Sequence, residues 1–191
     1  MFVLTKSVLA MMISFILAVL LGLFLIPILK KLKASQRVSI YVSEMHKQKN
    51  GTPTMGGLIF IVPVIVTVVI LYLLGKINFS YNLLIIVFTF ISYSLIGFLD
   101  DYLIIKRNNN KGLTEIQKLL LQIIVAIIFF YLFMKGGNEP LIWLRSLNLR
   151  IEMGWLYGLF ILFILVSSSN AVNITDGLDG LAGGLSVIAF L

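Results

Sequence analysis

Two adjacent carboxylates, Asp100 and Asp101, stand at the end of an apolar run that begins near Tyr81. A charged side chain at the centre of a membrane helix costs about 2.5–3.5 kcal/mol on insertion scales. Neighbouring carboxylates also repel each other unless a cation lies between them. Hard oxygen ligands beside a membrane favour Mg²⁺, which binds through one or two carboxylates together with substrate phosphates. The alternative is that the pair only ends a transmembrane helix among the lipid headgroups.

A second polar segment holds the other two aspartates of the chain, Asp176 and Asp179. Polar side chains recur there at every third position, in the series Ser167, Asn170, Asn173, Asp176, Asp179. Such a series drifts around an α-helix by about 60° per step, so all five cannot share one face. Gly177 and Gly180 predict that the helix breaks near Asp176. A broken helix at membrane depth is tolerated only where it lines a cavity, which would suit a nucleotide or a sugar.

The segment 46–57 is rich in glycine, with three glycines and one proline between 51 and 57. Backbone N–H groups in such a loop can hold an anion, and the helix that follows presents its positive dipole end. Lys47 and Lys49 add positive charge. Phosphate binding is one interpretation, and an ordinary glycine-rich loop before a helix is the other. His46, the only histidine, is either solvated or catalytic.

The segment from Lys106 to Lys118 is basic and opens soon after the aspartates. Lys118 stands just inside the next apolar run, with Gln122 one turn further along. It therefore faces either water or a polar cleft. Its ammonium group either snorkels along apolar surface or pairs with a phosphate.

Composition identifies an integral membrane protein. The 191 residues are 60% hydrophobic and only 12% charged, and the mean hydropathy is +1.06; soluble domains carry about 25% charged residues. The absence of cysteine excludes a disulfide framework and a thiolate metal site. A formal net charge of +7 could indicate nucleic acid, but the basic residues lie in short loops between apolar runs. Membrane orientation and binding of anionic phosphates explain them better, so no nucleic-acid partner is predicted.

The hydrophobic pattern predicts an all-α fold, a polytopic transmembrane helical bundle. A span needs about 20 apolar residues. Five runs qualify, at 8–29, 57–75, 81–99, 116–134 and 153–172. A sixth begins near Leu181 and stops after 11 residues, so we expect five complete spans, a truncated sixth and one membrane domain over 1–191 that is cut off at its C-terminal end.

Loop charge predicts the orientation of the bundle. The first and third loops, with the start of the fourth span, hold ten basic residues, and the opposite side holds five. The positive-inside rule therefore puts the first, third and fifth loops in the cytoplasm and the N-terminus outside. On the outer side, residues 136–152 alternate apolar and polar types. They predict a small hairpin at the membrane interface, with Trp143 as an anchor.

Three motifs carry a resemblance to a known family: Gly-Thr-Pro-Thr-Met-Gly-Gly at 51–57, Gly-Phe-Leu-Asp-Asp-Tyr at 97–102 with Gly-Leu-Thr at 112–114, and Asn-x-x-Asn-x-x-Asp-Gly-Leu-Asp-Gly-Leu at 170–181. In order and spacing they resemble the phospho-N-acetylmuramoyl-pentapeptide transferases (translocase I), which belong to the polyprenyl-phosphate N-acetylhexosamine-1-phosphate transferases (glycosyltransferase family 4). The similarity covers the whole chain. The aspartate motifs are shared across that superfamily, whereas Thr-Pro-Thr-Met-Gly-Gly is more particular to the muramoyl-pentapeptide enzymes.

The resemblance implies about ten spans of about 20 residues each in the complete protein and an active site at the cytoplasmic face of a bacterial plasma membrane. It implies transfer of phospho-N-acetylmuramoyl-pentapeptide from UDP-N-acetylmuramoyl-pentapeptide to undecaprenyl phosphate, which yields lipid I and UMP for peptidoglycan synthesis. By motif position, Asp100 and Asp101 would be the catalytic carboxylates and the Mg²⁺ ligands. The residues that would contact substrate are Lys49, Thr54, Lys111, Lys118, Asn173, Asp176 and Asp179.

Mg²⁺ is the expected cofactor because it would bridge diphosphate oxygens while lysines offset the charge that develops on UMP. Asp100 would deprotonate or orient the lipid phosphate for direct attack; a covalent aspartyl intermediate is the alternative left open. The family has a further acidic residue and a histidine-rich loop that the 191 residues lack, which supports the expectation of a partial chain. The oligomeric state is open, with a homodimer among the options.

Two rival functions stand beside this one. A transporter or channel would place charges near the bilayer midplane inside helices. Here the aspartates lie at the ends of apolar runs beside glycine-rich loops. Within the transferases, a relative that uses another UDP-N-acetylhexosamine is the runner-up.

Overall fold

A computed structural model describes residues 2–31, 54–107, 112–176 and 180–190. The described helices are α1 (Phe2–Lys31), α2 (Leu58–Leu73), α3 (Tyr81–Arg107), α4 (Glu115–Lys135), α5 (Leu156–Thr175) and α6 (Leu181–Phe190). Strands β1 (Leu141–Leu144) and β2 (Leu149–Glu152) form an antiparallel hairpin between α4 and α5. The all-α class and the small hairpin within 136–152 are thus confirmed.

Four helices, α1, α3, α4 and α5, are long and apolar enough to cross a membrane. Helix α2 has 16 residues and α6 has 10. At 1.5 Å per residue α2 is about 24 Å long, shorter than the roughly 30 Å hydrocarbon core. Large apolar side chains cover the helix surfaces, for example Leu23 and Phe163, each 68% exposed. Such a surface is suited to lipid, and the prediction of a multi-pass membrane protein is confirmed.

Glycine sets the ends of α2 and α4. Gly75 has a φ of +65°, a left-handed conformation that costs little without a Cβ. The next residue, Lys76, donates its backbone N–H to the Leu71 carbonyl at 2.9 Å, as in a Schellman motif. Gly137, with a φ of +73°, ends α4 in the same way. Helix α2 is therefore shorter than the predicted run at 57–75.

The chain divides into two compact units, Met1–Glu115 and Ile116–Leu191. In the first unit α1 packs along α2, and α3 packs against α2 over a smaller area. A Cβ on Gly22 of α1 would lie 3.3 Å from Cγ2 of Ile59, so the glycine permits a close approach of α1 and α2. The prediction of a single domain over 1–191 stays a prediction.

In the second unit, aromatic residues connect α4 and α5. The ring centroids of Phe133 and Tyr157 are 5.3 Å apart. A Cβ on Gly158 would lie only 2.9 Å from Cδ1 of Phe130, so here too a glycine makes room for a neighbouring helix. These contacts lie toward the end of α4 and the start of α5, next to the hairpin.

The hairpin packs cationic side chains around Trp143. Trp143 pairs with Arg150 across the two strands. The guanidinium groups of Arg150 and Arg145 lie 4.9 and 5.0 Å from the centroid of the Trp143 ring, within cation–π range. The anchoring role of Trp143 at the membrane interface stays a prediction.

Candidate functional site

Helix α3 positions the two aspartates. It begins at a Ser80 cap, where the Leu83 N–H donates to Ser80 Oγ at 3.1 Å. The distance from Tyr81 to Asp100 along the axis is about 29 Å, close to the roughly 30 Å of a bilayer core. The helix then continues through Arg107, so Asp100 and Asp101 lie inside it. The pair therefore does not mark the end of α3, and its catalytic role stays a prediction.

The loop before α2 contacts Asp101. The Met55 N–H donates to Asp101 Oδ2 at 2.8 Å. Met55 has a φ of +67°, a left-handed conformation that is uncommon for a residue with a side chain. Thr54, a predicted substrate-binding residue, directly precedes it and is only 7% exposed. Binding of an anion by the N–H groups of this loop was one of two interpretations, and one of these groups binds the protein's own carboxylate.

The segment after α3 contacts Asp100 in a similar way. The Leu113 N–H donates to Asp100 Oδ1 at 2.8 Å. Arg107, at the end of α3, donates from Nη1 to the Gly112 carbonyl at 3.1 Å, which ties this segment back to the helix. A Cβ on Gly112 would overlap Asp100 Oδ1 and would lie 2.9 Å from the Asp100 carbonyl oxygen. Asp100 and Asp101 are therefore oriented by backbone groups from two different segments.

The carboxylates of Asp100 and Asp101 supply the hard oxygen ligands that a divalent cation prefers. Both carboxylates are half-buried on one turn of helix, and each accepts a backbone N–H through one oxygen. The described residues contain no group of three His, Cys, Asp or Glu side chains that could hold a metal without further ligands. Mg²⁺ needs only one or two protein carboxylates when substrate phosphates complete its shell. The donor set is thus compatible with Mg²⁺ bound together with a diphosphate.

The second unit contains a polar cluster that joins α4 and α5. Gln122 is 2% exposed, and it is the largest fully buried side chain among the described residues. Its Nε2 donates to Ser169 Oγ at 3.2 Å. Its Oε1 accepts from Asn170 Nδ2 at 2.9 Å, and the same nitrogen reaches the Val166 carbonyl at 2.8 Å. Of the polar series predicted from the sequence, Asn170 therefore contacts α4 and its own helix.

Three predicted substrate residues lie in this second unit. Lys118 is half-buried in the first turns of α4, one turn before Gln122. Asn173 and Asp176 are exposed at the end of α5. The helix ends at Thr175, and α6 starts at Leu181 after Gly180 at a φ of +80°. The predicted break near Asp176 is confirmed.

Some predicted residues lie outside the described part of the chain, namely His46, Lys47, Lys49, Lys111 and Asp179. Within the first unit, the structure brings Asp100 and Asp101 together with the segments at Met55 and Leu113. Lys118, Asn173 and Asp176 belong to the other unit.

The backbone N–H groups of Met55 and Leu113 that orient the aspartates were not predicted, because a backbone donor cannot be identified from residue type. Gln122, a polar side chain within the predicted apolar run at 116–134, was a signal for the α4–α5 cluster.

Comparison with protein-family models gives two matches. The model for glycosyl transferase family 4 matches residues 83–191. Signature 1 of phospho-N-acetylmuramoyl-pentapeptide-transferase matches residues 49–61. The first match includes both aspartate segments, and the second includes the loop whose Met55 amide binds Asp101.

Relatives with assigned names align over nearly the whole chain. A phospho-N-acetylmuramoyl-pentapeptide-transferase from Staphylococcus carnosus is 44% identical, with 93% of this chain and 56% of the relative aligned. That from Bacillus subtilis is 40% identical, over 93% of this chain and 54% of the relative. That from Oceanobacillus iheyensis is 37% identical, over 98% and 57%. The chain thus spans about half the length of the curated relatives it matches.

Proposed function

Since this chain belongs to glycosyl transferase family 4, we propose that the protein transfers phospho-N-acetylmuramoyl-pentapeptide from UDP-N-acetylmuramoyl-pentapeptide to undecaprenyl phosphate. The choice of the muramoyl-pentapeptide substrate rests on one observation. The segment that matches the muramoyl-pentapeptide signature contains Met55, whose N–H binds the carboxylate of Asp101. The signature therefore belongs to the same site as the carboxylate pair.

The proposed reaction exchanges one P–O bond for another. An oxygen of the lipid phosphate attacks the phosphorus that bears the sugar, and the bond from that phosphorus to the UMP oxygen breaks. Lipid I and UMP are the products. Such phosphoryl transfer depends on positioning and charge stabilisation more than on covalent chemistry from the protein.

Asp100 and Asp101 have different roles in the proposed reaction. Asp100 orients the lipid phosphate and accepts its remaining proton. Asp101, bonded to the Met55 amide, keeps the substrate loop next to the reacting phosphates. Thr54, Lys49 and Lys111 bind the diphosphate from the flanking loops.

Four further residues are proposed to contact the substrate because of their positions in the motifs. Lys118, Asn173, Asp176 and Asp179 contact the nucleotide or its phosphates. An ammonium group such as that of Lys118 offsets negative charge on the departing UMP. The polar end of α5, with its exposed Asn173 and Asp176, offers amide and carboxylate groups to the nucleotide.

Mg²⁺ is the cofactor of this proposal, held by Asp100 and Asp101 together with phosphate oxygens. The proposal is supported by the donor chemistry, since both half-buried side chains offer the carboxylate oxygens that Mg²⁺ prefers. When bound, the ion neutralises phosphate charge and polarises the reacting phosphorus. The excess of basic residues in the first and third loops supports a site at the cytoplasmic face, where a UDP-linked substrate is available.

The deciding experiment is UMP release by the full-length protein in detergent micelles with undecaprenyl phosphate. We expect release with UDP-N-acetylmuramoyl-pentapeptide and a lipid product that carries the peptide. UDP-N-acetylglucosamine serves as the matched nucleotide sugar and should release no UMP. Release from UDP-N-acetylglucosamine alone would instead identify the relative that uses another UDP-N-acetylhexosamine.

A further inference from the structure

Gly112 occupies a position where a side chain does not fit. A Cβ there would overlap Asp100 Oδ1 and would lie 2.9 Å from both Asp100 Cγ and the Asp100 carbonyl oxygen. Rotation of the carboxylate could relieve the first contact. It could not relieve the contact with the carbonyl oxygen, because that oxygen belongs to the backbone of α3. A side chain at position 112 must therefore push the segment away from Asp100.

The close approach of Gly112 has a consequence for the next residue. It brings the Leu113 N–H to 2.8 Å from Asp100 Oδ1, a short distance that is typical of a bond to a charged acceptor. The Arg107 bond to the Gly112 carbonyl supports the same placement from the end of α3. A backbone N–H orients a carboxylate without bringing a mobile counter-charge. A lysine in its place would compete with a cation for the same oxygens.

We propose that Gly112 is a positioning residue for the transfer reaction, because it lets the Leu113 amide hold Asp100 in its reactive orientation. The inference rests on the proposed function for its catalytic consequence. Its structural part, the bond between Leu113 and Asp100, can be tested without turnover. Gly112 itself touches no substrate and acts only through Asp100.

The test compares Gly112→Ala with Gly183→Ala in the full-length protein. Gly183 lies in α6, and a Cβ there meets none of the described atoms within 4 Å. Displacement of a reacting group by about 1 Å can cost about 100-fold in rate. We therefore expect kcat for UMP release to fall about 100-fold in Gly112→Ala, with the KM for the UDP substrate and the UMP dissociation constant unchanged. Gly183→Ala should retain the wild-type kcat.

A double-mutant cycle separates positioning from general loosening. If Gly112 acts through Asp100, Gly112→Ala should have no further effect on the residual activity of Asp100→Asn. An added loss in that background would overturn the proposal, as would equal kcat values for Gly112→Ala and Gly183→Ala.

Hydrogen exchange at the Leu113 amide gives a readout that does not depend on activity. Protection of this amide should fall in Gly112→Ala and persist in Gly183→Ala. Asp100→Ala, which removes the acceptor, should expose the amide as well, so the bond can be tested even if Gly112→Ala does not accumulate. Protection that persists in Asp100→Ala would overturn the proposal. A wild-type protein that releases no UMP would count against the proposed function, while exchange at Leu113 would still decide the positioning.

Discussion

At the scale of single residues, the carboxylate pair is oriented by backbone amides. Asp101 accepts from Met55 and Asp100 from Leu113, each at 2.8 Å. An asparagine side chain retains one carbonyl oxygen, so it can accept the same backbone bond after the charge has been removed. Charge and orientation can therefore be separated by substitution at either position.

We predict that Asp100→Asn and Asp101→Asn each lower the turnover of the full-length enzyme by at least about 100-fold. The unfolding temperature should change little, because the bond from the Leu113 or Met55 amide can persist. UMP release and thermal unfolding measure the two effects. Glu152→Gln, an exposed acid on the hairpin, is the control and should retain turnover. Near-normal UMP release from both aspartate variants would remove the pair from catalysis.

A second prediction concerns the metal. UMP release should vanish in EDTA and return with Mg²⁺ or Mn²⁺, because two phosphates beside Asp100 and Asp101 would otherwise repel. Binding of Mn²⁺ in the presence of UMP, followed by electron paramagnetic resonance, should weaken in Asp101→Asn. Full activity in chelator would contradict the role of the ion.

Residue types alone identified part of this site. Four aspartates concentrated in two segments of an otherwise apolar chain indicated chemistry, as did the glycine-rich loop that contains Thr54. The backbone partners of the carboxylates could not be predicted, since every residue except proline carries the same backbone N–H group. The left-handed conformation of Met55 could not be predicted either, because a methionine in the sequence does not indicate a positive φ.

At the scale of helices, Gln122 connects α4 with the polar end of α5. Its side-chain nitrogen donates to Ser169 and its side-chain oxygen accepts from Asn170, and both partners lie on α5. Asn170 lies one turn before Asn173, which is proposed to contact the nucleotide. The α4–α5 bonds therefore fix the rotation of the helix that carries Asn173.

We predict that Gln122→Leu and Asn170→Leu are coupled in the free energy of unfolding. Interhelical hydrogen bonds in membrane proteins contribute about 0.6 kcal/mol on average and up to about 1.7 kcal/mol. Asn170→Leu takes a donor from the buried Oε1 of Gln122, and Gln122→Leu takes away the partner that Ser169 and Asn170 have on α4, whereas the double variant removes both ends of one bond. Unfolding by titration with SDS should show a double variant less destabilised than the sum of the single variants. Additive losses would indicate that the bond contributes nothing.

Helix positions followed from the sequence better than helix ends did. The apolar runs marked every described helix, and Gly177 with Gly180 marked the break after α5. The predicted run at 81–99 ends before α3 does, because this helix continues beyond the apolar segment to Lys106 and Arg107. Cations in the last turn interact favourably with the helix dipole, which a hydrophobicity pattern does not register.

At the scale of the whole molecule, charge and apolar surface set the relation to the membrane. Helix surfaces expose large apolar side chains along α1, α3, α4 and α5. Basic residues cluster at the ends of these helices, as at Lys30 and Lys31 in α1 and at Lys106 and Arg107 in α3. The hairpin that follows the C-terminal end of α4 contains two basic residues, Arg145 and Arg150.

This asymmetry of charge yields a prediction about sidedness. From the ten basic residues on one side and the five on the other, we predict that the carboxylate end of α3 faces the cytoplasm. The chain contains no cysteine, so single cysteines can be introduced without background from these residues. Asn109→Cys, close after α3, should react with a membrane-impermeant maleimide only after the cells are opened. Leu147→Cys, 72% exposed at the hairpin tip, should react in intact cells and is the matched probe for the outer side. The reverse labelling pattern would put Asp100 and Asp101 on the side opposite to the UDP-linked substrate, and the proposed transfer could not then occur.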